Sequence, residues 1–103
     1  MSTKKSEAVK FMEKLTGGPL TFAIHLNNIR ECDELSQVEF AKKLKISPSH
    51  LCDIIKGRKV VSPGRAAKFA KILGYSEHLF VQLALQAMLD EAGLKMSVSL
   101  EAA

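Results

Sequence analysis

Between residues 47 and 59 the chain brings Ser47, Ser49, His50, Asp53 and Lys56 close together and follows them with Arg58 and Lys59. Hydroxyls, an imidazole, a carboxylate and cationic groups at this density can read hydrogen-bonding edges and hold anions. Ser49 beside His50 is not a nucleophile–base pair, because a triad is defined by geometry and nothing nearby supplies an orienting acid or an oxyanion hole. The chain has no Gly-rich phosphate loop after a strand, no G-x-S-x-G, no HExxH and no partnered carboxylate pair. No enzyme is expected. Cys32 and Cys52 are too few and too far apart for a zinc ribbon, and no CxxC occurs. His50 and Cys52, at i and i+2 on a helix, point to different sides, and His25 and His78 lack ligand partners at useful spacing. No metal site and no cofactor is expected, and both thiols are expected to be reduced and partly buried.

Charge is concentrated around the same residues. The chain is +4 overall, but residues 42–71 hold nine basic side chains (Lys42, Lys43, Lys45, Lys56, Arg58, Lys59, Arg65, Lys68 and Lys71) against Asp53 alone. The rest of the chain is net acidic. Lysines on helices are often only solvated faces, yet a positive half set against an acidic half is the electrostatic footprint of a polyanion binder.

The elements that hold these groups can be read locally. Ser36 with Glu39 three residues later is a capping box, so a helix starts just before Gln37 with Phe40, Ala41 and Leu44 on one face. Ser47-Pro48 pairs an N-cap serine with proline at the first helical position. Leu51, Ile54 and Ile55 then form the buried side of a second helix. Only Lys45 and Ile46 separate the first helix from the second cap, so the pair must cross steeply, and Ala41 is small enough to allow a close approach. That is the geometry of a DNA-binding helix-turn-helix. Before it, a helix is predicted from about Thr21 to Cys32 with core residues Phe22, Leu26 and Ile29. After it, Ser62-Pro63 opens another helix with Ala66, Phe69, Ala70 and Leu73 inward, closed by Gly74. Ser76 caps a long last helix that ends at Gly93.

From about Phe22 to Tyr75 the chain resembles the phage-repressor/Cro (XRE-type) family of five-helix DNA-binding domains. The matching pieces are LSQVEFAKKL, the turn KIS, PSHLCDIIKGRK and SPGRAAKFAKILGY. The resemblance covers roughly half the chain and implies an all-α, five-helix repressor-like fold. It also implies that Gln37 contacts phosphate and buttresses the second helix, and that Arg58 and Lys59 meet the sugar–phosphate backbone. Many family members have glycine where this chain has Lys45, so the local backbone is expected to be less relaxed here.

In such a domain the second helix enters the major groove with its N-terminal residues on base edges. Ser49 can donate or accept, and His50 can donate to guanine or to a phosphate. Asp53 either accepts from cytosine or adenine amino groups and excludes other sequences, or merely pairs with Lys56 on the helix surface. The DNA-binding set is therefore Gln37, Ser47, Ser49, His50, Asp53, Lys56, Arg58 and Lys59.

The two ends of the chain fall outside that pattern. A short helix is expected over 6–15, with Ala8, Phe11, Met12 and Leu15 on one side, and Thr16–Pro19 breaks it. The last helix is apolar on more than one side, through Phe80, Leu83, Leu85, Met88 and Leu89 among others. It therefore needs a second subunit, the N-terminal helix or a partner to cover it. From Leu94 to Leu100 apolar and polar residues alternate with the period of a strand, and Met96, Val98 and Leu100 share one face. This tail is expected either to pair with another chain or to be disordered. The division expected is an N-terminal extension over 1–18, the DNA-binding domain over 19–93 and the tail over 94–103.

With 103 residues, one domain is expected. No run approaches the ~20 apolar residues of a membrane span, and the N-terminal MSTKKSEAVKFMEKL has no signal-peptide core, so a cytoplasmic location is expected. The functional expectation is a repressor that binds a palindromic operator as a homodimer. The short extensions and absence of a ligand domain look like HigA-type antitoxins, which repress their own operon and neutralise a small, basic, ribosome-dependent RNase. A stand-alone phage-type or restriction–modification controller regulator is the rival reading.

Overall fold

The computed structural model describes residues 20–101. Five helices follow one another there: α1 (Phe22–Cys32), α2 (Gln37–Leu44), α3 (Pro48–Ile55), α4 (Pro63–Leu73) and α5 (Glu77–Glu91). No strand occurs among the described residues, and the fold is all-α as expected. The helix expected over 6–15, its break at Thr16–Pro19 and the proposed extension over 1–18 lie outside the described residues.

Each helix begins on a hydroxyl. Thr21, Ser36, Ser47, Ser62 and Ser76 are the N-caps, and each side chain accepts the backbone N–H three residues on. Such a cap satisfies one of the donors that a helix start leaves unpaired, and is worth about 1 kcal/mol. At α2 the capping box is complete: the Ser36 N–H donates to Glu39 Oε1 at 3.0 Å and the Glu39 N–H to Ser36 Oγ at 3.1 Å. Bonding to the Ser36 backbone N–H first, and to its side chain second, holds the Glu39 carboxyl below the usual carboxylate range.

Each helix is also followed by a residue in the left-handed region, where the chain folds back onto the last turn. After α2, the Lys45 N–H donates to the Lys42 carbonyl at 3.1 Å and the Ile46 N–H to the Ala41 carbonyl at 3.0 Å. This is a Schellman motif, with Ile46 tucked against the core as its apolar clasp. Glycine fills the left-handed position after α3, α4 and α5, at Gly57, Gly74 and Gly93. Glu34 (φ 55°) fills it after α1 and Lys45 (φ 62°) after α2. The strain expected at Lys45 is therefore real, and Glu34 carries a similar strain that no local pattern signals.

One core joins the helices. Phe40 and Ala41 of α2, Leu51 and Ile54 of α3, Ala66 and Ala70 of α4, and Phe80 and Ala84 of α5 are all buried, together with Leu26 and Ile29 of α1. α4 packs most extensively on α5, and α2 packs on α3. Arg30 fixes the corner before α2 by donating from Nη1 to the Leu35 carbonyl at 2.8 Å. The Phe22 and Phe80 rings meet edge to face at 5.7 Å and seat the start of α5 under α1.

Two expectations for the C-terminal half need correction. Phe80 and Leu83, candidates for an intermolecular face, are only 1 % and 2 % exposed and belong to this chain's own core. The tail does not form a strand within the described residues; it runs back along α5, held by glutamine side chains. Gln86 Nε2 donates to the Met96 carbonyl at 2.7 Å, and its Oε1 accepts the Val98 N–H at 2.8 Å. Gln82 Nε2 donates to the Val98 carbonyl at 3.1 Å. Val98 is thereby drawn in to 7 % exposure. Its alternation with polar neighbours reflects an extended segment lying on a helix. Leu85, Leu89 and Leu100 are half-buried, while Met88 and Met96 remain 42 % and 45 % exposed. Leu85, Met88, Leu89, Val98 and Leu100 line an open apolar groove of about 370 Å³.

Candidate nucleic-acid interface

The first turn of α3 is held from below and left open above. Ser47 Oγ accepts the His50 N–H at 3.1 Å, so this hydroxyl caps the helix and is less available to a base than expected. Leu51 and Ile54 fasten the helix to the core. Pro48 and Ser49 are exposed, and His50 is half-buried beside them. Gln37 lies exposed at the first position of α2, and Lys56 lies exposed at the end of α3.

In the free chain Asp53 is engaged by the loop cations that follow α3 rather than by Lys56. Its Oδ1 accepts from Arg58 Nε at 3.0 Å, and its Oδ2 lies 3.8 Å from Lys59 Nζ. The ion pair with Lys56 is not formed among the described residues. The turn at Gly57 explains the difference: the Arg58 and Lys59 N–H groups both donate to the Asp53 backbone carbonyl, at 2.8 and 3.2 Å. That fold brings positions five and six residues on over Asp53. The carboxylate thus gathers the two loop cations against α3. Arg58 also reaches Cys52 Sγ at 3.8 Å.

A residue that the sequence places only on an outer helix face joins the site. Arg65, in the first turn of α4, lies with Nη1 3.4 Å from His50 Nε2 and 3.5 Å from Nδ1. The two residues are fifteen positions apart, beyond any local periodicity, so no sequence signal marks them as neighbours. His50 is held below the ordinary histidine range, first by partial burial, then by Arg65 and Lys59, with Asp53 opposing. Beyond Arg65 an open groove of about 530 Å³ continues between α2 and α4, with Lys45, Lys68 and Lys71 around a floor of Leu44, Phe69 and Ile72.

The helix pair, its short turn and the exposed N-terminus of the second helix have a counterpart among known families: a helix-turn-helix family model, HTH_3, matches residues 28–80, just over half of the chain. The chain belongs to the helix-turn-helix family. It is a DNA-binding transcription regulator by family, and the match bears out the likeness to XRE-type phage-repressor and Cro proteins. No curated protein and no solved structure matches the chain.

Among the described residues no three His, Cys, Asp or Glu side chains come together where they could hold a metal ion. Cys32 is exposed, contrary to the partly buried thiol expected, and Cys52 is half-buried as expected. No helix among the described residues is long and apolar enough to cross a membrane.

Proposed function

We propose that the protein is a sequence-specific transcriptional repressor, without catalytic activity, that acts in the cytoplasm as a homodimer on a palindromic operator. The observation that carries this reading is the open first turn of α3, where Ser49 and His50 stand exposed or half-exposed beside loop cations gathered by Asp53. In this arrangement Ser49 and His50 read base edges in the major groove, and Gln37, Arg58, Lys59 and Lys56 hold the backbone. Half-sites about 34 Å apart place two copies on one face of the duplex. With about six phosphates neutralised per bound unit, log affinity falls against log salt with a slope near −5. Asp53 acts mainly by orienting Arg58 and Lys59, and any base discrimination it adds is secondary.

The finer reading is an antitoxin that represses its own operon and neutralises a small basic RNase. The exposed groove along α5 and the tail supports it, being an apolar surface on the same chain with Met88 and Met96 open to solvent. One observation favours the rival, a self-sufficient phage-type or controller regulator. The tail is already engaged by Gln82 and Gln86 of its own chain, which leaves the groove as a dimer surface rather than a strand to donate.

Purifying the tagged chain from its native cells and identifying what co-elutes separates the two. A single small basic protein at near-equal stoichiometry supports the antitoxin reading. Recovery of the chain alone, as a dimer, supports the self-sufficient repressor. Selection of bound duplexes from a random pool tests the shared part, and enrichment of no sequence would overturn it.

A further inference from the structure

We propose that residues 6–15 of this chain dock as a helix in a cleft formed by the start of α1, the loop after α3 and the last turns of α5. The cleft holds about 370 Å³ and is lined by Leu20, Phe22, Ile54, Val60, Leu83 and Ala87 among others. Leu20, Phe22, Ile54 and Leu83 are buried, whereas Val60 is 39 % exposed and Ala87 is half-buried. Apolar walls left open to water forgo the burial that a fitting apolar segment would supply. On the α5 side the cleft ends in Asp90 and Glu91, both exposed and neither ion-paired among the described residues. Lys59 also lines it, but its Nζ lies 3.8 Å from Asp53 Oδ2. The cleft therefore fits an amphipathic segment that carries cations.

Three properties of the chain before Leu20 favour it over a foreign occupant. The first is attachment. Leu20 lines the cleft and is also where residues 1–19 join the domain, so docking is intramolecular and has a high effective concentration. The second is reach. With a helix over 6–15, residues 16–21 connect it to α1, within the roughly 2–8 residues that join neighbouring helices. The third is chemistry. Ala8, Phe11, Met12 and Leu15 share one face at helical spacing. Lys4, Lys5, Lys10 and Lys14 outnumber Glu7 and Glu13, which suits a cleft bordered by Asp90 and Glu91. One wall of the cleft is Gly57, Lys59, Val60 and Val61, the loop that carries the cations of the α3 end. A docked segment thus supports that loop from behind.

Two measurements on the full chain test this. Trypsin cleavage after Lys14 reads the docking, because a protease needs accessible chain. Phe11→Asp should speed that cleavage about tenfold, the factor that burying one aromatic side chain supplies, while cleavage within residues 20–101 stays unchanged. Asp90→Asn with Glu91→Gln, far away in sequence, should speed it about twofold, as expected for exposed ion pairs. The second measurement is crosslinking in a background of Cys32→Ser and Cys52→Ser. Phe11→Cys, Met12→Cys or Leu15→Cys, each combined with Ala87→Cys, should include a pair that forms an intrachain disulfide on mild oxidation. The same substitutions combined with Ile72→Cys, in the basic groove between α2 and α4, should form none. Equal cleavage in wild type and Phe11→Asp, or crosslinking to both positions at similar rates, would overturn the docking. Disulfides formed only between chains would give the cleft to a second copy and overturn it as well. Neither measurement involves DNA, so the repressor reading stands or falls separately.

Discussion

The α3 end and the α5 end of the molecule use polar side chains for opposite purposes. At α3, cations are tied to neighbouring side chains on the surface: Arg58 and Lys59 to Asp53, and Arg65 to the His50 ring. At α5, uncharged glutamines are tied to backbone, and Gln86 grips the tail at Met96 and Val98. Exposed ion pairs contribute little stability and are weakened by salt. They leave the cations available to a polyanion while setting their positions. Amide-to-backbone bonds are insensitive to salt and hold an apolar segment in place. One end is arranged to exchange its partners and the other to keep them.

The sharpest way to break this division is to remove what the two ends share. Phe40→Ala opens the common core at a fully buried ring and should cost about 3–5 kcal/mol. Urea unfolding should show one transition displaced, with DNA binding and tail protection disappearing together. Separate transitions would mean that the ends are independent.

Charge removal should act on one end alone. The pair Arg58→Gln and Lys59→Gln should weaken binding to all sequences and flatten the salt slope by about 2, since each phosphate left without its cation accounts for about 0.9. The midpoint of unfolding should barely move. An unchanged slope would mean that the basic loop faces solvent in the complex.

Gln86→Ala is the reciprocal change. It removes two hydrogen bonds from the tail, worth about 1 kcal/mol each, and should speed hydrogen exchange at the Val98 amide while leaving the salt slope of DNA binding unaltered. A smaller effect is expected at Lys45, whose left-handed backbone is strained for a side-chain-bearing residue. Lys45→Gly should stabilise the fold by about 1 kcal/mol in thermal or urea unfolding.

The smallest effect separates two histidines. His25 is 5 % exposed, and neither ring nitrogen has a partner among the described residues. Burial lowers its proton affinity, whereas His50 is lowered by burial together with Arg65 and Lys59. For both, the unfolded chain binds the proton more readily. Stability is therefore complete above the unfolded value of about 6.5 and declines as pH falls toward the folded values. His25→Leu should flatten that decline. Added salt should raise the titration point of His50 by screening its cations and leave that of His25 in place, as followed by proton NMR.

The parts of this design that lie within a few residues are legible in the sequence. Ser36 with Glu39, Ser47-Pro48 and Ser62-Pro63 mark three helix starts, because a cap and the donor it satisfies lie three positions apart. The strain at Lys45 can be read from its place in a turn that usually has glycine. Asp53 is harder. Helical spacing points its side chain at Lys56, and only the reversal at Gly57 puts Arg58 and Lys59 over it instead. Arg65 and His50 cannot be paired from sequence at all, since their approach depends on how α4 returns past α3. The tail shows a different limit. Its two-residue period suggests a strand, but periodicity does not say whether the hydrogen bonds go to another strand or to glutamines on a helix. The apolar girth of α5 overstates its need for a partner for the same reason, because Phe80 and Leu83 turn inward and Val98 covers part of the rest.

The clasp formed by Gln82 and Gln86 recognises only peptide groups, which every sequence except proline supplies. Apart from Val98, the residues it holds are under little obligation to the fold. Met96 and Leu100 can be exchanged over generations while the segment keeps its path. A surface held by its backbone in this way can change its side chains without disturbing the helix-turn-helix.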